Sequence, residues 1–189
     1  MLLDLQAPSS NFAAVQAIPH FVYEKKMIPG LPPYNNADQI IPGVWLGNAK
    51  AANDEVFLKN AGIQAVFNCT KDLPFHPSIK RCYRVPVDDN LQPEEIRNME
   101  LWSQEIVYKM LEEYKAKRPI FVHCHAGMQR SPAAVAMFLM FISGSSKDNT
   151  KTFIRTKRPI AFYPSANFEN ALNGFEKTID EIKKRALMQ

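Results

Sequence analysis

Residues 119–143 read PIFVHCHAGMQRSPAAVAMFLMFIS, and three local structures follow one another in that stretch. Pro119-Ile120-Phe121-Val122-His123 is a short apolar run opened by a proline, which reads as a strand. Cys124 to Arg130 is a loop with Gly127 at its centre. From Ser131 to about Ser143 the chain is apolar nearly all round, and Gly144 is placed to end a helix there. A helix without a polar face belongs at the centre of a domain.

Outward from this centre, strands and helices alternate. Ile40-Ile41 and Val44-Trp45-Leu46 are strand candidates divided by Pro42-Gly43, Asn53 to Asn60 reads as a short helix, and Ala65 to Asn68 reads as a buried strand. Tyr83 to Val87 is a further strand candidate, with Pro86 arguing against a central place in a sheet. A long helix follows: Pro93 suits its first turn, Glu94 and Glu95 its positive end, and Ile96, Met99, Ile106, Met110 and Tyr114 recur at helical spacing before Pro119 stops it. Two more helices are expected near Asp148–Thr156 and Asn167–Arg185. Strands alternating with helices around a buried one indicate an α/β layered fold. Residues 1–38, with Pro8, Pro19, Pro29, Pro32 and Pro33, read as an extended arm on a domain covering 39–189. Its Phe12, Ile18, Phe21, Val22 and Tyr23 could dock on the domain or on a second copy, giving a homodimer.

Composition narrows the function. The chain has 189 residues, 46% hydrophobic and 22% charged, which excludes wholesale disorder and fibrous repeats. A net charge of +4 is too small for a dedicated nucleic-acid face. The apolar stretch Ala133–Ile142 is about half of what a membrane span needs, and MLLDLQAPSSNF lacks the pattern of a secretory signal. Cys69, Cys82 and Cys124 are odd in number and without C-x-x-C spacing, which argues against a disulfide framework and a zinc site. The expectation is reduced thiols in a cytoplasmic or nuclear setting. Cys69 and Cys82 read as small buried residues, Trp45 and Trp102 as core or interface aromatics, and Lys151, Arg155, Lys157 and Arg158 as a solvated face or one that favours multiply charged substrates.

The loop carries the chemistry. A helix N-terminus presents unpaired N–H groups and partial positive charge, a seat for phosphate. Consecutive amides of His125, Ala126, Gly127, Met128 and Gln129 can form an anion-binding nest, with Gly127 supplying the backbone freedom. Arg130 can grip two phosphate oxygens. The same charges favour thiolate at Cys124, beside a bound phosphorus centre. Breaking the ester needs a proton on the leaving oxygen, and Asp88 and Asp89, at the end of a strand, are the donors in view.

These residues match H-C-x5-R-S, and the chain resembles the Cys-based protein phosphatases, in particular the small dual-specificity group. Ile41–Asn48, the Ala65–Thr70 strand and Val85-Pro86-Val87-Asp88-Asp89 extend the likeness, which covers about Gln39 to Glu181. The resemblance implies a central mixed, mostly parallel sheet flanked by helices. It also implies hydrolysis of phosphotyrosine and phosphoserine or phosphothreonine in proteins through a phosphocysteine. It assigns Cys124 as nucleophile, Arg130 as phosphate grip, Asp89 as general acid and then base, Ser131 as donor to the departing sulfur, and His123 as support of loop and thiolate. It implies no metal or organic cofactor.

The chain lacks the Asn-Arg-Tyr segment that deepens the pocket of tyrosine-only phosphatases, so a shallow pocket is expected. One departure stands out: where the family often has P-N-x-G-F-x-x-Q-L, this chain has Pro164-Ser165-Ala166-Asn167-Phe168-Glu169-Asn170-Ala171-Leu172. The competing readings are a phosphoinositide phosphatase, which commonly carries Lys in the loop, and an RNA 5′-phosphatase, typically with Asn before and Thr after the Arg. A non-catalytic phosphoresidue-binding module and a metal pair of His123 and His125 complete the set.

Overall fold

The computed structural model of the protein describes residues 28–187. The docking residues assigned to the arm, Phe12 to Tyr23, lie outside the described residues.

A single sheet organises the domain, in the order β1-β2-β5-β3-β4. β1 (Ala37–Ile41) and β2 (Val44–Asn48) form an antiparallel hairpin across Pro42-Gly43. The apolar run of the central motif becomes the middle strand β5 (Ile120–Cys124), parallel to β2 on one side and to β3 (Ala65–Asn68) on the other. β4 (Arg81–Arg84) is the parallel edge beyond β3. Three of the four pairings are parallel and one antiparallel, the mixed, mostly parallel sheet expected.

All five residues of β5 are buried, and their alternation feeds two cores. Ile120, Val122 and Cys124 join the larger core. That core also takes in residues of α3 (Pro93–Lys115), α4 (Arg130–Ser143), α5 (Lys147–Lys157) and α6 (Glu169–Leu187). Phe121 points the other way. It meets Phe57 edge-to-face at 5.2 Å, in a smaller core under α1 (Ala49–Ala52) and α2 (Glu55–Asn60). As its composition demands, α4 is the central helix: Arg130 through Met140 are all buried, and Gly144 closes it in a left-handed conformation at φ 69°. Among the described residues no helix is long and apolar enough to cross a membrane.

Three details differ from the sequence reading. The helix expected over 53–60 begins only at Glu55, and a further short helix, Ala49–Ala52, precedes it, because cap-forming residues compete with the helical backbone there. Asn48 caps α1, and Asp54 caps α2 by accepting from the Phe57 N–H at 2.9 Å. β4 ends at Arg84 rather than reaching Val87, since Pro86 has no N–H to donate, yet Val85 and Val87 stay buried as the chain turns inward. Cys82 is exposed, not buried, because it lies on that edge strand.

Candidate active site

The parallel register places Asn48 beside Cys124 and Asn68 beside His123, so the loop that leaves β5 emerges between the ends of β2 and β3. Four consecutive carbonyls of the loop are bound from outside. His125 O accepts from Ala49 N at 3.1 Å and Met128 O from Phe162 N at 2.7 Å. Gly127 O accepts from Arg158 Nε at 2.8 Å and Ala126 O from Arg158 at 3.3 Å. In a trans peptide the carbonyl and the next N–H point oppositely. The amides of residues 126–129 are thereby turned inward, toward the space over Cys124 and the start of α4.

The Cys124 thiol sits in that space, 2% exposed. Its sulfur accepts from Gly127 N at 3.3 Å and from Ser131 Oγ at 3.2 Å. Arg130 opens α4 with its side chain buried. One terminal nitrogen donates to Val87 O at 3.2 Å, while Nε has no partner among the described residues. The sulfur is thus met by an N–H of the loop and by a hydroxyl of the first turn of α4, the helix end that carries partial positive charge and that Arg130 opens.

The two histidines beside Cys124 occupy different surroundings. His123 is buried and stacks on Phe121 with ring centroids 5.5 Å apart, and neither ring nitrogen has a hydrogen-bond partner among the described residues. Burial pulls its imidazole down from 6.5 to about 4, so it is neutral at pH 7. Its main-chain carbonyl receives Cys69 N at 2.8 Å. His125 is exposed, with Nε2 3.3 Å from Asp72 Oδ1. Cys69 is fully buried, and that burial, with Cys124 nearby as a smaller cause, pushes its thiol up.

The structure separates the two aspartates. Asp88 is engaged away from the loop: its carboxylate is 2.9 Å from Lys71 Nζ, and its N–H donates to Glu95 Oε2 at 2.8 Å. Lys71 in turn reaches Glu95 at 2.5 Å and holds that carboxyl below its usual range. Asp89 is exposed and, among the described residues, its side chain has a single bond, accepted at Oδ1 from Asn167 Nδ2 at 2.7 Å.

Several positioning residues escaped the sequence reading. Arg158, read there as part of a solvated face, is 0% exposed. Beyond its two loop carbonyls it donates to Asn35 O at 3.0 Å and pairs with Asp38 at 2.6 Å. Nothing in a run of basic residues marks the one that turns inward, and Arg158 does so because it caps the end of α5 at Pro159. Lys151, from the same run, is tied to Asp148 and Glu169. Gly47 is required by crowding, since a Cβ there would lie 2.5 Å from Asn36 O. Gln129 is buried and ties the loop to residues 163–167: its Nε2 donates to the carbonyls of Tyr163 and Ser165 at 2.9 Å each.

A mixed, mostly parallel sheet whose middle strand runs through a cysteine-bearing loop into a buried helix is the frame of a Cys-based phosphatase fold. Residues 44–178 match the family model for the dual specificity phosphatase catalytic domain, and the chain belongs to that family. It is 30% identical over 151 residues to dual specificity protein phosphatase Mpk3 of Drosophila melanogaster, covering 77% of this chain and 36% of that protein. With dual specificity protein phosphatase 8 of Homo sapiens it shares 27% over 154 residues, covering 80% of this chain and 24% of the relative. The chain thus spans about a quarter to a third of the length of these relatives. Among solved structures it resembles a mouse dual specificity phosphatase, described as putative and complexed with zinc tungstate. That likeness has a TM-score of 0.69 and 25% identity, over 84% of this chain and 96% of that one. Human DUSP28 shares the fold at a TM-score of 0.68 and 24% identity, over 77% and 96% of the two chains.

Proposed function

We propose that this protein hydrolyses phosphate monoesters of tyrosine and of serine or threonine in proteins, through a phosphocysteine on Cys124. The observation that carries the reading is the sulfur's position, 3.3 Å from Gly127 N and 3.2 Å from Ser131 Oγ at the start of α4. The substrate phosphate sits on the inward amides of residues 126–129 and on the Arg130 guanidinium, which meet charge that grows in the transition state. The thiolate attacks phosphorus as the ester P–O bond breaks, and Asp89 gives its proton to the leaving oxygen. Water then attacks the phosphocysteine, Asp89 takes the water's proton, and Ser131 donates to the sulfur as the S–P bond breaks. His123 anchors the strand end from which the loop springs. The loop has no lysine, which favours monoesters on proteins over inositol lipids that carry further phosphates.

The test is hydrolysis of p-nitrophenyl phosphate in EDTA by the reduced chain, followed by phosphopeptides, inositol lipids and 5′-phosphorylated RNA on the same footing. Cys124→Ser is expected to abolish turnover. Asp89→Asn is expected to lower it about 100-fold, within the range of general acid catalysis. An inactive intact chain that binds phosphate would overturn the enzyme reading and leave a recognition pocket.

A further inference from the structure

An acid on an exposed side chain needs something to hold it over the substrate, and one bond does so here. Asn167 Nδ2 donates to Asp89 Oδ1 at 2.7 Å, joining positions 78 residues apart in sequence. Asn167 is itself fixed, because its N–H donates to Gln129 Oε1 at 3.0 Å. Gln129 belongs to the Cys124–Arg130 loop, is 5% exposed, and holds the carbonyls of Tyr163 and Ser165 with its other side-chain atom. A continuous path of hydrogen bonds thus runs from the phosphate-binding loop through Gln129 and Asn167 to the carboxyl of Asp89. Asp88 has no part in it, since Lys71 engages its carboxylate. Asn167 also falls in the segment where the chain departs from the P-N-x-G-F pattern, at the place of a glycine that has no side chain to offer.

We propose that Asn167 is a positioning residue for Asp89: it sets the height of the carboxyl above the loop and biases which oxygen carries the proton. This rests on the phosphatase reading above. The carbonyl oxygen of a protonated carboxyl is a better acceptor from an amide N–H than its hydroxyl oxygen. The bond to Oδ1 therefore favours the acidic hydrogen on Oδ2. That hydrogen passes from Oδ2 to the ester oxygen as the P–O bond breaks and the S–P bond forms. In the second step Oδ2 takes a proton back from the water as its oxygen bonds to phosphorus and the S–P bond breaks, which releases inorganic phosphate and returns the Cys124 thiolate.

The experiment compares two aryl esters. Dinitrophenolate leaves without needing a proton, whereas phenolate leaves poorly without one. In Asn167→Ala, kcat/KM for phenyl phosphate is expected to fall about tenfold, a fraction of what a general acid supplies, and for dinitrophenyl phosphate less than about twofold. Retained turnover of the dinitrophenyl ester shows that the fold, Cys124 and Arg130 are intact in the variant. In an Asp89→Asn background, Asn167→Ala is expected to add nothing further on phenyl phosphate. Equal losses on both esters, no loss on either, or an undiminished effect without Asp89 would each overturn the assignment while the phosphatase reading stands. An intact chain that cleaves neither ester would overturn the phosphatase reading and this one with it.

Discussion

His123 shows what a single buried group costs. Its imidazole is held neutral inside the sheet, with its pKa down to about 4, while in the unfolded chain it titrates near 6.5. Between those two values the unfolded state binds the proton and the native state does not, so stability falls as the pH drops through that window. The linkage amounts to about 3 kcal/mol once the pH has fallen below both values. Replacing the ring with a group that does not titrate, as in His123→Asn, is expected to flatten the decline between pH 6.5 and 4, whatever it does to stability at neutral pH. Urea midpoints of both proteins across that range check this. Parallel curves would mean that the imidazole is not held neutral.

At the scale of elements, the loop that follows β5 is shaped by what packs behind it as much as by its own residues. Gly127 has φ 68°, and a Cβ there would lie 2.5 Å from Gly47 O and 2.6 Å from the Arg158 guanidinium. The left-handed conformation alone costs a residue with a side chain about 1–2 kcal/mol. The contact with the β2 backbone cannot be relieved without moving the strand or the loop. Gly127→Ala is therefore expected to lower kcat/KM for p-nitrophenyl phosphate by about 100-fold or more, as a displacement near 1 Å does, and to lower the melting temperature as well. Normal turnover would mean that the loop tolerates a shift away from Gly47. Phe162 makes the same point from the other side: it is buried at φ 61° while its N–H meets Met128 O.

For the whole molecule, the tie that matters joins the first strand to the loop. Asn35 and Asp38 both bind Arg158, and Asn36 O receives Asn48 N at 2.9 Å, so the segment before β2 is bound into the site's support. The sequence reading assigned these residues to the arm. A chain beginning at Gln39 would leave the Arg158 charge buried without its carboxylate, a change that costs about 3–5 kcal/mol. Denaturation of a chain beginning at Ile28 beside one beginning at Gln39 is expected to show a loss of that order in the shorter chain alone. Equal midpoints would show that Asp38 is dispensable.

The strand, loop and helix from Pro119 to Ser143 were legible in the sequence because each depends on local chemistry: apolar periodicity, a glycine in the loop, a helix without a polar face. The same holds for the long helix from Pro93 and for the mutual placing of Cys124, Arg130 and Ser131, which neighbour one another in the chain. The family resemblance already pointed to Asp89, but only tertiary structure showed that Lys71 engages Asp88 and Asn167 meets Asp89, because both partners come from distant segments. It alone turned Arg158 inward and Cys82 outward, since burial of a residue on a helix end or an edge strand depends on what packs against it. Local rules read along the chain act through backbone sterics and period. The bonds that hold Asp88, Asp89 and Arg158 run across the chain, and no spacing records them.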